Sequence, residues 1–271
     1  MITTLALHPA AAKVLIGQAV AALPEVKRAF QEGKIIIAAG TTNVMVAKAL
    51  LNLDVKALEP YTAGLVTARA ACVTESSQRL GPWCLHRGIP VDSNWVDFLH
   101  TMQAGDVFIK GANAFDGNGL IGVMLGDDTG GTVGKAIGII KARGITWVAP
   151  MGLEKLIPNC IEAEKWMLSA APHNLRLGYR SGYITVANTQ VITEIDSLRI
   201  LSGAAAVQVA AGGVGGMEGA TVLAVECQDE THCRDVLNMV KKANRTAPLR
   251  VKKQSCATCQ TPCLMYNQQH K

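Results

Sequence analysis

Several things are scarce in this chain of 271 residues. No apolar run reaches the roughly 20 residues that a bilayer-spanning helix needs. The most apolar stretch, residues 1–23, is interrupted by Lys13 and does not open on a basic region, so neither a membrane anchor nor a targeting segment is expected. Charge is sparse and nearly balanced: 17% of residues are Asp, Glu, Lys or Arg, 26 basic against 21 acidic, for a formal net charge of +5. Part of that excess gathers as Lys241, Lys242, Arg245, Arg250, Lys252 and Lys253. No helix-turn-helix or RNA-binding signature accompanies it, so the cluster reads as a solvated basic face and nucleic acid is not an expected partner. A disulfide framework is also not evident. The cysteines (72, 84, 160, 227, 233, 256, 259 and 263) are scattered through a chain long enough to fold without staples, which fits a reducing cytoplasm.

What is abundant is apolar material, 49% of the chain, enough for one large domain or a large and a small one. Residues 9–23 read as a helix stopped by Pro24. Ile35-Ile36-Ile37-Ala38-Ala39 is a short continuous apolar run of the kind that forms a buried parallel strand. Gly40-Thr41-Thr42-Asn43 follows, and Val44, Ala47 and Leu51 then recur at helical spacing. Such a junction either caps its helix through Thr41 or Thr42, or seats a phosphate or carboxylate on unpaired amides at the positive end of the helix dipole. Residues 64–73 look like a second strand. The segment 75–90 reads as a long loop carrying Arg79, Trp83, Cys84, His86 and Arg87, suited either to an anionic or planar ligand or to pinning by Trp83. A helix capped by Asp92 or Ser93 comes next.

The densest chemistry lies at 106–136. Val107-Phe108-Ile109 is a strand, and Lys110-Gly111-Ala112-Asn113-Ala114-Phe115-Asp116 leaves its carboxyl end. Gly111 permits a tight turn, so that Lys110 and Asn113 can face one crevice as cation and amide. Asp127-Asp128-Thr129-Gly130-Gly131-Thr132 opens a helix with Val133, Ala136, Ile137 and Ile140 on one stripe, and Lys135 lies one turn in. Ala136 after that lysine excludes a Walker A loop. Residues 145–149 are another apolar strand, leaving through Pro150-Met151-Gly152-Leu153-Glu154-Lys155-Leu156-Ile157-Pro158.

The order of strand, Gly-Thr-Thr, helix, Gly-Ala-Asn-Ala-x-Asp, Gly-Gly-Thr-x-Gly-Lys, helix, strand and Glu-Lys-Leu-Ile-Pro resembles a known superfamily. Its members include type A ribose-5-phosphate isomerase, glucosamine-6-phosphate isomerase and the CoA transferases, with the sugar-phosphate-sensing domains of DeoR-type repressors, initiation factor 2B-like proteins and lactate-utilisation proteins. The likeness covers roughly residues 25–158. It implies an α/β fold with a mostly parallel sheet flanked by helices, and a ligand at the strand carboxyl ends. Carried over residue by residue, it puts Lys110, Asn113 and Ala114 where the isomerases hold two aspartates and a glutamate, so their general base is not retained. Lys110, Asn113 and Asp116 are the candidates for any remaining catalysis. The binding frame that survives is Gly40, Thr41, Thr42, Asn43, Gly111, Ala112, Thr129, Gly130, Gly131, Thr132 and Lys135.

Beyond Pro158 the pattern changes. Residues 161–168 are helical with Trp166 read as core, 183–187 as a strand, 195–201 as a helix, 206–211 and 221–226 as strands joined by a glycine-rich hairpin. Asp229 caps a last helix, and 249–251 offers a closing strand. That order predicts a small α+β, ferredoxin-like module. The expected organisation is therefore 1–158 as the ligand-binding domain, 159–253 as the module and 254–271 as a tail. Cys256, Cys259 and Cys263 in that tail, spaced C-x2-C-x3-C, suit zinc or an iron–sulfur cluster; His270, Cys72, Cys84 or Cys233 would be the fourth ligand, and a reduced tail is the competing reading.

These expectations converge on a cytoplasmic protein that binds a small anionic metabolite: a sugar phosphate, CoA ester or hydroxy acid. A homo-oligomer is compatible with them. If catalytic, the protein would be an isomerase or transferase. The alternatives are a non-catalytic sensor, or an assembly or redox protein that uses the cysteine cluster.

Overall fold

The computed structural model describes residues 1–53, 58–64, 66–67, 70–75, 79–168, 175–259 and 263–264. The chain runs β1 (Ile2–Leu7), α1 (Pro9–Ala22), α2 (Pro24–Glu32), β2 (Lys34–Ile37) and α3 (Asn43–Leu51), then β3 (Trp83–His86), β4 (Ile89–Pro90), α4 (Trp95–His100) and β5 (Val107–Ile109). There follow β6 (Ala114–Phe115), β7 (Ile121–Leu125), α5 (Gly131–Arg143), β8 (Thr146–Pro150), α6 (Cys160–Met167), β9 (Gly182–Val186), β10 (Gln190–Ile192), α7 (Glu194–Ser202), β11 (Ala205–Ala211), β12 (Thr221–Glu226) and α8 (Glu230–Ala243).

The protein is α/β. Its main sheet has the order β10-β8-β5-β2-β3-β4, with β10, β8, β5 and β2 parallel and the β3–β4 hairpin antiparallel at one edge. Alternate residues of the parallel strands bury opposite faces, as the two-residue strand period requires. Ile35, Ile37, Val107, Ile109 and Val148 pack with Ile16 and Val20 of α1 and Val26 of α2, whereas Ile36, Phe108, Trp147 and Ala149 pack with Leu99, Val133 and Ile140 of α4 and α5. Phe108 and Trp147 meet edge-on with ring centroids 5.3 Å apart. Each such fully buried aliphatic or aromatic side chain stabilises by about 1.5–3 kcal/mol relative to exposure. A double-sided apolar sheet is therefore what holds the strand ends in place.

Several features depart from the sequence reading. The segment 75–90 is not all loop: residues 83–90 form the β3–β4 hairpin, turned by Arg87 (φ 50°) and Gly88 (φ 75°). In 64–73 only isolated bridges are present among the described residues, at Thr67–Ala70 and Ala71–Gly178. The C-terminal strands also divide between sheets. β9 pairs with β7, β10 joins the main sheet, and β11–β12 pair with β1 in a three-stranded sheet of order β1-β12-β11. Residues 249–251 form no strand. Trp166, read as core, is 72% exposed, and its Nε1 donates to Glu162 Oε1 at 2.8 Å. A disulfide joins Cys227 to Cys233 across the turn into α8, so Cys233 is spent there. Among the described residues, no helix is long and apolar enough to cross a membrane.

Candidate functional site

The parallel strands β2, β5 and β8 all end at one cavity of about 720 Å³, within the range of small-molecule sites. Its floor is tied together by Asn43. This buried side chain donates from Nδ2 to Ala38 O (2.8 Å) and accepts at Oδ1 from Gly111 N (3.2 Å), clamping the end of β2 to the end of β5. Gly111 is needed here because a Cβ would lie 2.7 Å from Pro150 O. Asn43 is thus spent on architecture, although it lines the cavity.

Two helix starts border the space. At α3, Thr42 occupies the N-cap position but makes no capping hydrogen bond. Its Oγ1 is buried, in a residue only 3% exposed, and has no protein partner. A buried hydroxyl without a partner is costly in an apolar setting, and Gly40, Thr41 and Thr42 all line the cavity. The N-capping role open to Thr42 is therefore not the one adopted. At α5, Gly130 (φ 79°) is the N-cap, again without a side-chain cap, and Gly131 (φ 55°) and Thr132 follow it along the cavity wall. Asp127 Oδ1 accepts from Thr129 N and Oγ1 at 2.9 and 2.5 Å and from Gly131 N at 3.3 Å. Those bonds, the Thr129 hydroxyl first, draw the Asp127 carboxyl below its usual range. Thr129 itself is exposed and outside the lining, as is Lys135.

Lysines from three separate elements supply the charge. Lys13 of α1, Lys110 after β5 and Lys155 after β8 line the cavity together with Arg79. Lys110 Nζ donates to Gly111 O (3.3 Å) and Lys155 Nζ to Ala112 O (3.0 Å). Two ion pairs among the described residues, Arg199–Asp196 and Arg234–Glu230, lie elsewhere. Burial, and then the neighbouring Lys155 ammonium, push Lys110 down to about 8. Lys155 is also lowered, by burial first and by Lys13, against the opposing pull of Glu154 and Glu194. Glu194 is buried behind Lys155, accepts from Leu153 N at 2.8 Å, and is pushed up to about 7 by burial. Arg79 is braced on Thr74, donating to its carbonyl at 2.7 Å and its hydroxyl at 2.9 Å.

Comparison with protein families, with curated proteins and with solved structures returned no match.

The remaining candidates sort by their surroundings. Asn113 lines the cavity while its Oδ1 accepts from Met124 N (3.0 Å), and Ala112 lines it too. Asp116 does not. It is buried beneath the β6–β7 turn, accepting from Asn118 N (2.9 Å), Leu120 N (3.2 Å) and Cys160 N (2.9 Å). Burial works to raise its pKa, but these amide bonds outweigh it and the carboxyl ends below its usual range. Asp116 therefore organises a turn and the start of α6 instead of facing a ligand. Lys13 and Lys155 are not legible as site residues in the sequence, since only the fold brings positions so far apart together; the one signal is Lys155 in the Glu-Lys-Leu-Ile-Pro exit of β8.

The tail cysteines occupy a different place. Among the described residues, no group of three or more His, Cys, Asp or Glu is arranged to hold a metal ion. Cys256, Cys259 and Cys263 nevertheless line a small cavity with Cys72. Burial raises the Cys72 thiol, Lys253 lowers it, and Cys259, Cys256 and Cys263 raise it further. Of the other fourth-ligand candidates, Cys84 is buried in β3 and pushed up to about 11, and His270 lies outside the described residues.

Proposed function

We propose that this protein binds a small phosphorylated or carboxylated metabolite, such as a sugar phosphate, CoA ester or hydroxy acid, at the carboxyl ends of β2, β5 and β8. The observation that carries this is the convergence of Lys13, Lys110 and Lys155 on one cavity also bordered by the starts of α3 and α5, neither of which has a side-chain cap from its N-cap residue. Burial first, and then repulsion from Lys155 on Lys110 and from Lys13 on Lys155, lowers the pKa values of Lys110 and Lys155. An anion relieves that repulsion and gives the Thr42 hydroxyl a partner.

The sheet is proposed to be of the isomerase and CoA-transferase type, acting in a cytoplasm. The smaller sheet is proposed as the ferredoxin-like module. Its order β1-β12-β11, with α8 following, matches three strands of that arrangement once β1 takes the place first given to 183–187. Any turnover in the cavity rests on Lys110, not on the carboxylates of the isomerases, because an ammonium drawn down to about 8 has an accessible amine form near neutral pH.

Titration calorimetry with ribose 5-phosphate, a CoA ester and lactate tests the reading. At least one binds the wild type, Lys110→Met and Lys155→Met weaken it at least tenfold, and Lys135→Ala leaves it unchanged. No binding by any of the three classes, or equal loss in Lys135→Ala, would sink the proposal.

A further inference from the structure

We propose that Cys72, Cys256, Cys259 and Cys263 are the four thiolate ligands of one metal centre, a zinc ion or an iron–sulfur cluster. The tail spacing alone supplies three sulfurs. The fold supplies the fourth, from a position more than half the chain away.

Backbone bonds bring them together. Gln254 N donates to Val73 O (3.0 Å), Glu75 N donates to Lys252 O (3.0 Å), and Lys253 bridges Thr74 in antiparallel fashion. On its other side, Ala71 bridges Gly178 in parallel. Cys72 thus sits between two bridged flanks, and the tail turns at Cys256–Thr258 in a single 3-10 turn, with Ser255 Oγ accepting from Ala257 N (3.2 Å). All four cysteines then border the same small cavity. Lys253 lines it as well, its Nζ donating to Cys256 Sγ at 3.1 Å.

That layout has the parts a thiolate centre needs. Four sulfurs match both the tetrahedral all-thiolate set of structural zinc and the all-thiolate set of a 4Fe–4S core. Ligation replaces four S–H bonds with metal–sulfur bonds and releases the four protons to solvent. A Zn2+ ion, or a preassembled 4Fe–4S core of charge +2, then carries a net charge of −2 with its four thiolates. Lys253 supplies a compensating cation and an N–H···S bond of the kind that tunes such centres. The cavity, about 10 Å³, has room for a single water-sized group. Because no three of the described groups are already arranged around an ion, zinc requires the four thiols to close on it, and a 4Fe–4S core, larger than this space, requires them to stand further apart. The cysteines outside this set show the contrast: Cys84 and Cys160 are lone buried thiols pushed up to about 11, and Cys227 and Cys233 are joined to each other.

The test uses the full chain purified anaerobically, with metal and acid-labile sulfide measured per chain. Stoichiometric zinc without sulfide identifies the ion, and iron with matching sulfide and broad visible absorbance identifies the cluster; either supports the centre. Cys72→Ser and Cys259→Ser each lower bound metal at least tenfold, whereas Cys84→Ser retains it. X-ray absorption of the wild type reports four sulfur neighbours per metal for zinc and a mixed sulfide and thiolate shell for iron, which holds whether or not the variants fold. Absence of both metals from the wild type and from protein reconstituted with Zn2+ or with ferrous iron and sulfide would overturn the proposal. So would retention of wild-type metal by Cys72→Ser.

Discussion

Replacing Lys110 with methionine separates the cost of a buried charge from its use. The side chain keeps much of its length, loses its ammonium, and stays in the half-buried pocket beside Lys155. A pKa drawn from 10.5 down to about 8 means that the folded state disfavours the ammonium by about 3 kcal/mol. The folded-state value lies below the unfolded one, so this cost is fully present below about pH 8 and disappears as pH rises towards 10.5. At pH 7 the unliganded Lys110→Met variant is therefore expected to be more stable than the wild type by up to about 3 kcal/mol, or roughly 6–12 °C in Tm for a chain of this size. The advantage shrinks above about pH 8. Affinity for a phosphorylated ligand moves the other way: losing one charge-assisted bond of about 1.5–3 kcal/mol weakens binding roughly 10- to 150-fold. Differential scanning calorimetry from pH 6 to 10, with and without ribose 5-phosphate, measures both. A variant that melts below the wild type at pH 7 refutes the electrostatic reasoning, because Lys110 would then be stabilising the fold and not waiting for a ligand.

Other consequences are checked more simply. In wild type, the affinity for a phosphate dianion should fall as pH rises through about 8, by at most tenfold per pH unit, because Lys110 then loses its proton; a flat profile from pH 7.5 to 9.5 contradicts this. Glu194, raised to about 7 by burial, has a folded-state pKa above its unfolded one. Its neutral form is favoured, and stability should drop as pH climbs from about 4.5 to 7; Glu194→Gln should remove that slope and gain up to about 3 kcal/mol at pH 8 in urea titrations. Gly111→Ala drives a Cβ to 2.7 Å from Pro150 O, so a loss of about 1–3 kcal/mol with weakened ligand binding is expected. Asn43→Ala strips partners from Ala38 O and Gly111 N, at a cost of about 2–4 kcal/mol in the same assay.

Local signals carried the sequence reading well where one segment decides its own structure. The Ile35–Ile37 run, the 107–109 strand, the helix opening at Gly130-Gly131 and the Asp229 cap all stand where the residues put them, and Asp229 accepts from His232 N at 2.8 Å. Reading failed where partners are distant. Ile2–Leu7 becomes a strand because β12 lies open to it, not because of a strong period of its own. Trp166 lies in a plausible helical stripe, yet α6 rests on β9 and β7 with that side outward. In the site, glycines and threonines are visible because tight turns demand them. Lys110 is legible at its strand end, but the other two lysines come from a helix at residue 13 and a turn at residue 155, and apart from the Glu-Lys-Leu-Ile-Pro exit around Lys155 nothing local distinguishes them from solvated ones. Lys135 follows the right motif but sits on the wrong face of its helix.

The stretch 63–74 has two neighbours. Ala63, Gly64, Val66 and Val73 face the lysine-lined cavity, while Ala70 and Cys72 face the cysteines of the tail. The described residues of this stretch, held by isolated bridges and not by a sheet, therefore border both cavities. If a ligand in one cavity shifts these shared residues, affinity in the other changes by a factor that thermodynamic reciprocity makes equal in both directions. Anion affinity measured with and without the tail restrained would report this as a heterotropic effect without any displacement of the main sheet.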